Sequence, residues 1–228
     1  MLINLTKKFK FILYNLKEKI SSSDITHVIL EEFKIRRPLY EDFCVTLQKI
    51  LDAFLADRDY KYHIACRTKT LKSLEEKIVN KMKIGKIYTS LNNIEDLAGI
   101  RVIFYSEKDK NRFLKEIRGE LSGIISIDTK EKDNGYNATH FIVSLGNKRL
   151  KLSEYKKFSG LVGEIQVTSI FYHAWSEIEH DFIYKDTKNL REKDPERFES
   201  MRKKLSMVMD KHIKKASVEF EEIMDEFK

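Results

Sequence analysis

The sequence predicts an α/β or α+β domain built around one sheet, with helices outside it at both ends of the chain. Three observations carry this. Short runs rich in β-branched and aromatic residues alternate with longer amphipathic stretches through the middle of the chain, the order expected when helices cover a sheet. The two ends, residues 1–60 and 187–228, show helical spacing alone. Only 2 prolines and 8 glycines interrupt 228 residues, which favours long helices over linkers.

The elements follow in order. Residues 24–57 are expected to be helical, with Pro38 marking a restart, because Phe43, Leu47, Ile50, Leu51 and Phe54 form one apolar stripe. His63 to Lys69 is basic and extended. A helix then carries Leu71, Leu74, Ile78 and Met82 on one side. Asn92 and Asn93 lead through Ile94-Glu95-Asp96-Leu97-Ala98-Gly99 into a strand from Ile100 to Tyr105. A charged amphipathic helix covers residues 108–121, and strands are expected at 123–127 and 138–145, separated by the polar turn Lys130-Glu131-Lys132-Asp133-Asn134-Gly135. Residues 163–167 make a further strand. Residues 170–182 make a helix with Phe171, Ala174, Trp175, Ile178 and Phe182 on its apolar face. In the last helix Met209, Ile213, Ala216, Phe220, Ile223 and Phe227 recur by threes and fours and predict a narrow buried seam. The expected organisation is N-terminal helices over 1–60, a core over 61–186 and a C-terminal helix over 187–228.

A hydrophobic fraction of 42% with 35% charged residues describes a globular protein, and no run approaches the roughly 20 apolar residues of a membrane span. Lysines at 7, 8, 10, 17 and 19 break up any signal-peptide-like stretch. The two cysteines, Cys44 and Cys66, give neither a disulfide framework nor paired metal-ligand spacing. These features predict a cytoplasmic protein with reduced thiols. The net charge of +7 favours anionic partners such as nucleotides or nucleic acid. It is concentrated in two places. Arg67, Lys69, Lys72, Lys77, Lys81, Lys83 and Lys86 face only Glu75 and Glu76; Arg202, Lys203, Lys204, Lys211, Lys214 and Lys215 face only Asp210. The second cluster reads as a solvated helix face.

Chemistry concentrates in three segments: Arg67-Thr68-Lys69 with Ser73 and Lys77; Asp96-Leu97-Ala98-Gly99-Ile100-Arg101; and Gly135-Tyr136, His140, Glu164-Ile165-Gln166 and the helix from His173 through Glu179-His180. Asp96 and Glu164 each lie at or in an expected strand, and adjacent strands can bring two carboxylates over one point. One or two carboxylates completed by phosphates and water are how Mg2+ is usually held. Lysines and arginines beside such a metal meet the demands of phosphoryl transfer, in which the protein mostly positions and neutralises. Alternation places Glu164 and Gln166 on one strand face and Ile165 and Val167 on the other. No P-loop, nucleophile elbow or dinucleotide fingerprint occurs. His63 with Cys66, and His173 with His180, lack zinc-site spacing.

In order and spacing, Arg67-x-Lys69, Ser73, Lys77, Asp96-Leu-Ala-Gly-Ile-Arg101, Lys132, Gly135-Tyr136, His140 and Glu164-Ile-Gln166 resemble the RelA/SpoT synthetase domain, and above all the small alarmone synthetases that consist of this domain plus helices. The resemblance covers residues 60–186. It implies a nucleotidyltransferase-like mixed sheet flanked by helices, and an ATP-dependent pyrophosphotransferase with Mg2+ as cofactor. By position, Arg67 and Arg101 would sandwich the adenine of ATP, a role open to a planar guanidinium. Lys69, Ser73 and Lys77 would contact its phosphates, and Asp96 would ligate Mg2+. Lys132, Tyr136, His140 and Gln166 would lie on the acceptor side, with Tyr136 stacked on the base and Lys132 and His140 at the phosphates. Glu164 would be a second metal ligand and the base for the acceptor's 3′-hydroxyl.

Four departures from the family pattern stand out. Cys66 replaces the glycine usual before Arg67, and Asn137 an arginine. Val167-Thr168-Ser169 lacks the arginine that commonly follows Glu-Ile-Gln, and the loop before Gly135 is short. The ATP half therefore matches better than the acceptor half. GDP or GTP is the first acceptor the resemblance implies, and the 3′-CCA end of tRNA, the substrate of toxic members, is the alternative. An antitoxin protein and a homo-oligomer are the further partners left open. His180-Asp181 is similar to a dipeptide of the family's hydrolase domain, which needs far more chain than this.

Overall fold

Tyr40, Phe43, Cys44, Leu47, Leu51 and Leu55 recur every three or four positions, and all are buried, so this stretch of chain is a helix with one face committed to a core. It belongs to α1 (Ser22–Ala56), which runs through Pro38 without interruption. The restart expected there is absent, although a helix-interior proline removes one backbone hydrogen bond. The structure is a computed structural model that describes residues 22–120, 124–131, 137–186 and 188–227. These fall into two compact units that do not follow chain order. One is drawn from the chain up to Leu39 and from Lys69–Ile94, the other from Tyr40–Thr68 and from Glu95 onward. The boundary falls within α1, one residue beyond Pro38.

The smaller unit holds the first part of α1, helix α2 (Leu71–Lys83) and a single 3-10 turn at Leu91–Asn93. Thr70 caps α2, its hydroxyl accepting the Ser73 N–H at 3.1 Å. The helix stops where Gly85 takes a φ of +78°, and the N–H groups of Gly85 and Lys86 return to the carbonyls of Met82 and Lys81 at 3.0 and 2.9 Å. This closure needs a residue that enters the left-handed region without strain. Leu74 and Ile78 are buried as expected, whereas Leu71 is exposed.

The larger unit contains the whole sheet. Its strands are β1 (Tyr62–Thr68), β2 (Ala98–Phe104), β3 (Ile124–Glu131), β4 (Asn137–Val143) and β5 (Gly163–Ser169), in the order β1-β2-β5-β4-β3. Only β2 and β5 are parallel, so the sheet is mixed. Cross-strand register sorts the side chains onto two faces. One carries Ile100, Val102 and Phe104 of β2, Ile165 and Val167 of β5, and Phe141 and Val143 of β4, all buried. Against it lies the C-terminal part of α1, where Cys44 Sγ donates to the Gly99 carbonyl at 3.3 Å and Gln48 Nε2 to the Ile64 carbonyl at 3.4 Å. Gly163 is where helix and sheet come closest. A Cβ there would stand 3.0 Å from the Ala98 carbonyl oxygen, 3.2 Å from Leu47 Cδ1 and 3.3 Å from Phe43 Cε1.

Helix α3 (Glu107–Glu120) follows β2 and buries Phe113 against Phe104 and Tyr60, with ring centroids 5.1 and 6.2 Å apart. A short helix α4 (Asn147–Leu150) lies between β4 and β5. After β5 come α5 (Ile170–Glu179), a wide turn of five residues at His180–Tyr184, the short α6 (Leu190–Lys193), and α7 (Pro195–Val208). Asp194 caps α7 by accepting the Arg197 N–H at 3.1 Å, with Pro195 in the first helical position. A second wide turn, Met209–Ile213, joins α7 to α8 (Lys214–Glu226).

These wide turns correct two expectations. On the helix after β5 only Trp175 of the expected face is fully buried, its Nε1 donating to the Leu205 carbonyl at 3.0 Å; Ile178 and Phe182 are exposed. In the terminal helix Met209 is buried, but Phe220 and Ile223 are about half-exposed and Phe227 is 87% exposed. A five-residue turn holds one residue more than an α-turn. It therefore rotates everything after it by about 100° relative to regular spacing. Read at constant period, Met209 and Phe227 share a seam; in the structure they do not. Among the described residues, no helix is long and apolar enough to cross a membrane.

Candidate active site

The second face of the sheet is polar. Arg67 pairs with Gly99 and Ala65 with Arg101, so the two arginines are diagonal neighbours on adjacent strands, about 7–8 Å apart. Gly99 in turn pairs with Glu164, and Arg101 with Gln166. His140 lies opposite Gln166 on the far side of β5. One face thus gathers Arg67, Arg101, Glu164, Gln166 and His140 from four adjacent strands. Asp96 sits in the turn that leads into β2, half-buried, at the sheet end where β5 begins with Gly163 and Glu164. The parallel pairing of β2 with β5 sets the turn that carries Asp96 at the same end of the sheet as Glu164.

A continuous chain of hydrogen bonds crosses this face. Glu177 Oε1 accepts from Arg101 Nη1 at 2.6 Å, and Gln166 Oε1 accepts from Arg101 Nη2 at 3.4 Å. Gln166 Nε2 donates to Glu164 Oε2 at 2.7 Å, and His140 Nδ1 donates to Glu164 Oε1 at 2.6 Å. At Gln166 the direction is forced. An arginine has no acceptor, so the Gln166 oxygen faces Arg101 and its NH2 group faces Glu164. A Glu164 carboxylate accepts from both neighbours when the His140 proton sits on Nδ1. His140 is only 7% exposed. Its role in the structure is to hold Glu164, whereas the family resemblance gives it the acceptor's phosphates.

Glu177 was not singled out by sequence reasoning, which named the helix around it without giving this residue a role. It stands on α5 two turns beyond the end of β5, and α5 folds back far enough to meet Arg101. No local signal could have found it, since the contact spans 76 residues. His173, one turn earlier, lies 3.9 Å from the same carboxylate. Burial, and then the Arg101 guanidinium, hold the His173 imidazole below its ordinary range, so it is neutral at physiological pH. Cys66, standing where the family has glycine, pairs with Ile100, and burial with Cys66 nearby pushes the Cys44 thiol up to about 12.

Of the other expected site residues, Lys69, Ser73 and Lys77 belong to the smaller unit. Ser73 lies in the first turn of α2, its hydroxyl 2.8 Å from that of Thr70, and Lys77 follows one turn later, half-buried. A serine hydroxyl in the first turn of a helix and a lysine one turn on are suited to phosphate. Lys132 and Tyr136 lie outside the described residues.

The carboxylates also bear on which metal would fit. Among the described residues no three His, Cys, Asp or Glu side chains come together as a metal cage. Asp96, in the turn before β2, and Glu164, on β5, supply hard oxygen donors. That donor set fits Mg2+, which takes one or two carboxylates and completes its octahedron with water and phosphate.

Residues 66–189 match the family model described as the region found in RelA / SpoT proteins. The GTP pyrophosphokinase YwaC of Bacillus subtilis (strain 168) is 25% identical over 128 residues, which are 54% of this chain and 58% of that protein. The match thus spans little more than half of that relative's length. In fold, the chain is similar to the small alarmone synthetase 1 of Bacillus subtilis, solved alone and bound to its product pppGpp. Each comparison gives a TM-score of 0.66 at 19% identity and covers 86% of this chain and 98% of the other.

Proposed function

This chain belongs to the RelA/SpoT family, and from that membership we propose that it moves the β,γ-pyrophosphate of ATP to the 3′-hydroxyl of GDP or GTP. The products are AMP and ppGpp or pppGpp. The observation that carries the reading is the hydrogen-bonded chain across the polar sheet face, which joins the candidate adenine-binding Arg101 to the candidate base Glu164 within the family-matched residues.

Arg67 and Arg101 offer two guanidinium planes for one purine ring between them. Ser73, Lys69 and Lys77 supply charge and donors for the phosphates. Glu164 takes the proton of the 3′-hydroxyl as the oxygen attacks the β-phosphorus and the bond to the AMP oxygen breaks. Its two hydrogen bonds orient its carboxyl group. Asp96 and Glu164 would hold Mg2+, which supplies neutralisation of the charge that develops on the transferring group. Lys132, Tyr136 and Gln166 remain assigned to the acceptor side by position in the family pattern.

A second acceptor is favoured by one observation. Thr168, where the family commonly carries an arginine, is buried on the polar face beside Ile103, so no cation stands there. This leaves the 3′ end of tRNA as the alternative acceptor. A chain of that kind would be a translation-blocking toxin with an antitoxin as its partner. The deciding experiment offers γ-labelled ATP and Mg2+ with GDP, GTP, ATP or deacylated tRNA in parallel. Label in a guanine nucleotide is the expected result. Label in tRNA alone would replace it with the second reading, and label in none of the four would sink both.

A further inference from the structure

We infer that Glu177 is a positioning residue for ATP, holding the guanidinium of Arg101 by its edge so that its faces stay open to the adenine ring. The inference deepens the reading of Arg101 as an adenine-binding residue and rests on it. Glu177 meets Arg101 Nη1 at 2.6 Å, and Gln166 meets Nη2 at 3.4 Å. Both bonds lie at the donor edge of a planar group, which leaves its two π-faces for stacking. With one carboxylate and one amide at its nitrogens, the guanidinium cannot swing about its long stem as an unanchored arginine does.

The pair is poorly placed to serve the fold. Its side chains are 31% and 53% exposed, and an ion pair so open to water contributes little to stability. Its effect is on orientation. It comes from α5, while Arg101 comes from β2 and Gln166 from β5, so three elements converge on one cation. His173 does not compete, because it is held neutral and stands 3.9 Å off. The anchor also reaches further. By fixing which way Arg101 points, Glu177 fixes the Gln166 amide, and with it the hydrogen bond that Gln166 donates to Glu164.

The test uses the full chain and its Glu177→Ala and Glu177→Gln variants. Binding of a non-hydrolysable ATP analogue is measured at equilibrium, and kcat and KM for ATP and for the acceptor are measured in steady state. Glu177→Ala is expected to weaken analogue binding and raise the KM for ATP by about fivefold, the size of one half-exposed charged contact. The melting temperature should stay unchanged, and the acceptor KM should rise less than the KM for ATP. Glu177→Gln keeps an oxygen acceptor and should restore ATP binding to within about twofold of wild type. Equal binding by wild type and Glu177→Ala overturns the inference, as does a Glu177→Gln variant no better than Glu177→Ala. A wild-type chain that binds no ATP analogue overturns both this inference and the proposed function, whereas intact binding with an unaffected Glu177→Ala overturns this one alone.

Discussion

Glu164→Gln separates chemistry from structure more cleanly than any other change in the site. It replaces one carboxylate oxygen by NH2 and leaves the shape intact. In the wild type both oxygens accept, from His140 Nδ1 at 2.6 Å and from Gln166 Nε2 at 2.7 Å. The variant has one oxygen to offer two donors. Gln166 cannot yield, because its own oxygen is turned toward Arg101, which only donates. His140 can. If its proton moves from Nδ1 to Nε2, Nδ1 accepts from the new NH2 and the hydrogen bond between the two side chains is kept. The structural cost is then the exchange of charge-assisted hydrogen bonds for neutral ones, about 1 kcal/mol. For a chain of this size that is a fall of roughly 2–4 °C in melting temperature. The catalytic cost is of another order. Losing the proton acceptor should slow label transfer by about 100- to 10,000-fold. The assay is pyrophosphate transfer from γ-labelled ATP, with analogue binding as the control for an intact ATP side. A variant that binds the ATP analogue normally and turns over within about tenfold of wild type would refute the assignment of Glu164 as base.

Three other outcomes are expected. Asp96→Asn should lower turnover at least about 100-fold and move half-maximal activation to higher Mg2+, read by titrating the metal; a wild-type Mg2+ curve would remove Asp96 from the metal site. Gly163→Ala should destabilise the protein by about 1–3 kcal/mol, because its Cβ would be caught between the Ala98 carbonyl and the side chains of Leu47 and Phe43, and a denaturant midpoint equal to wild type would mean that α1 can yield. The third concerns pH. The His173 imidazole is held below 6.5, so between that value and its folded one the unfolded chain binds a proton that the folded chain does not, and stability falls as pH falls below 6.5. Comparing denaturant midpoints at pH 7.5 and 5.5 for wild type and His173→Gln should show a smaller drop in the variant.

Much of the fold could be read from the chain because it depends on local periodicity. The alternation at Glu164, Ile165, Gln166 and Val167 foretold which residues face the core, and Ile165 and Val167 are fully buried. The strand beginning at Ala98 and the helix after Thr70 lie within a residue or two of their expected places. Two features broke the reading where periodicity itself breaks. Pro38 does not stop α1, since a proline weakens one turn but the helix around it carries a long buried stripe. The wide turn at Met209–Ile213 adds a residue that no apolar spacing announces, so the expected seam dissolves beyond it. In the site, residue types came from the motif, but their connections came from register. That Arg101 lies beside Gln166 and two strands away from His140 depends on β5 entering between β2 and β4. Glu177 depends on how α5 returns. Neither fact has a signature in local sequence.

That position of β5 has a consequence for how the protein comes into being. The middle strand of the sheet is the last of the five to leave the ribosome. Before it appears, β1 can pair with β2 and β3 with β4 as two separate ribbons, each with one bare edge more than the finished sheet leaves it, of the kind that invites wrong partners. Residues 163–169 join them, closing both edges in one step, and Glu177 follows only eight residues later. At about 5–20 residues per second, the interval in which the ribbons wait is a few seconds. A nascent chain halted before residue 163 would hold both arginines and Asp96 yet no site at all, so the candidate site assembles only once β5 and Glu177 have followed, and then nearly at once.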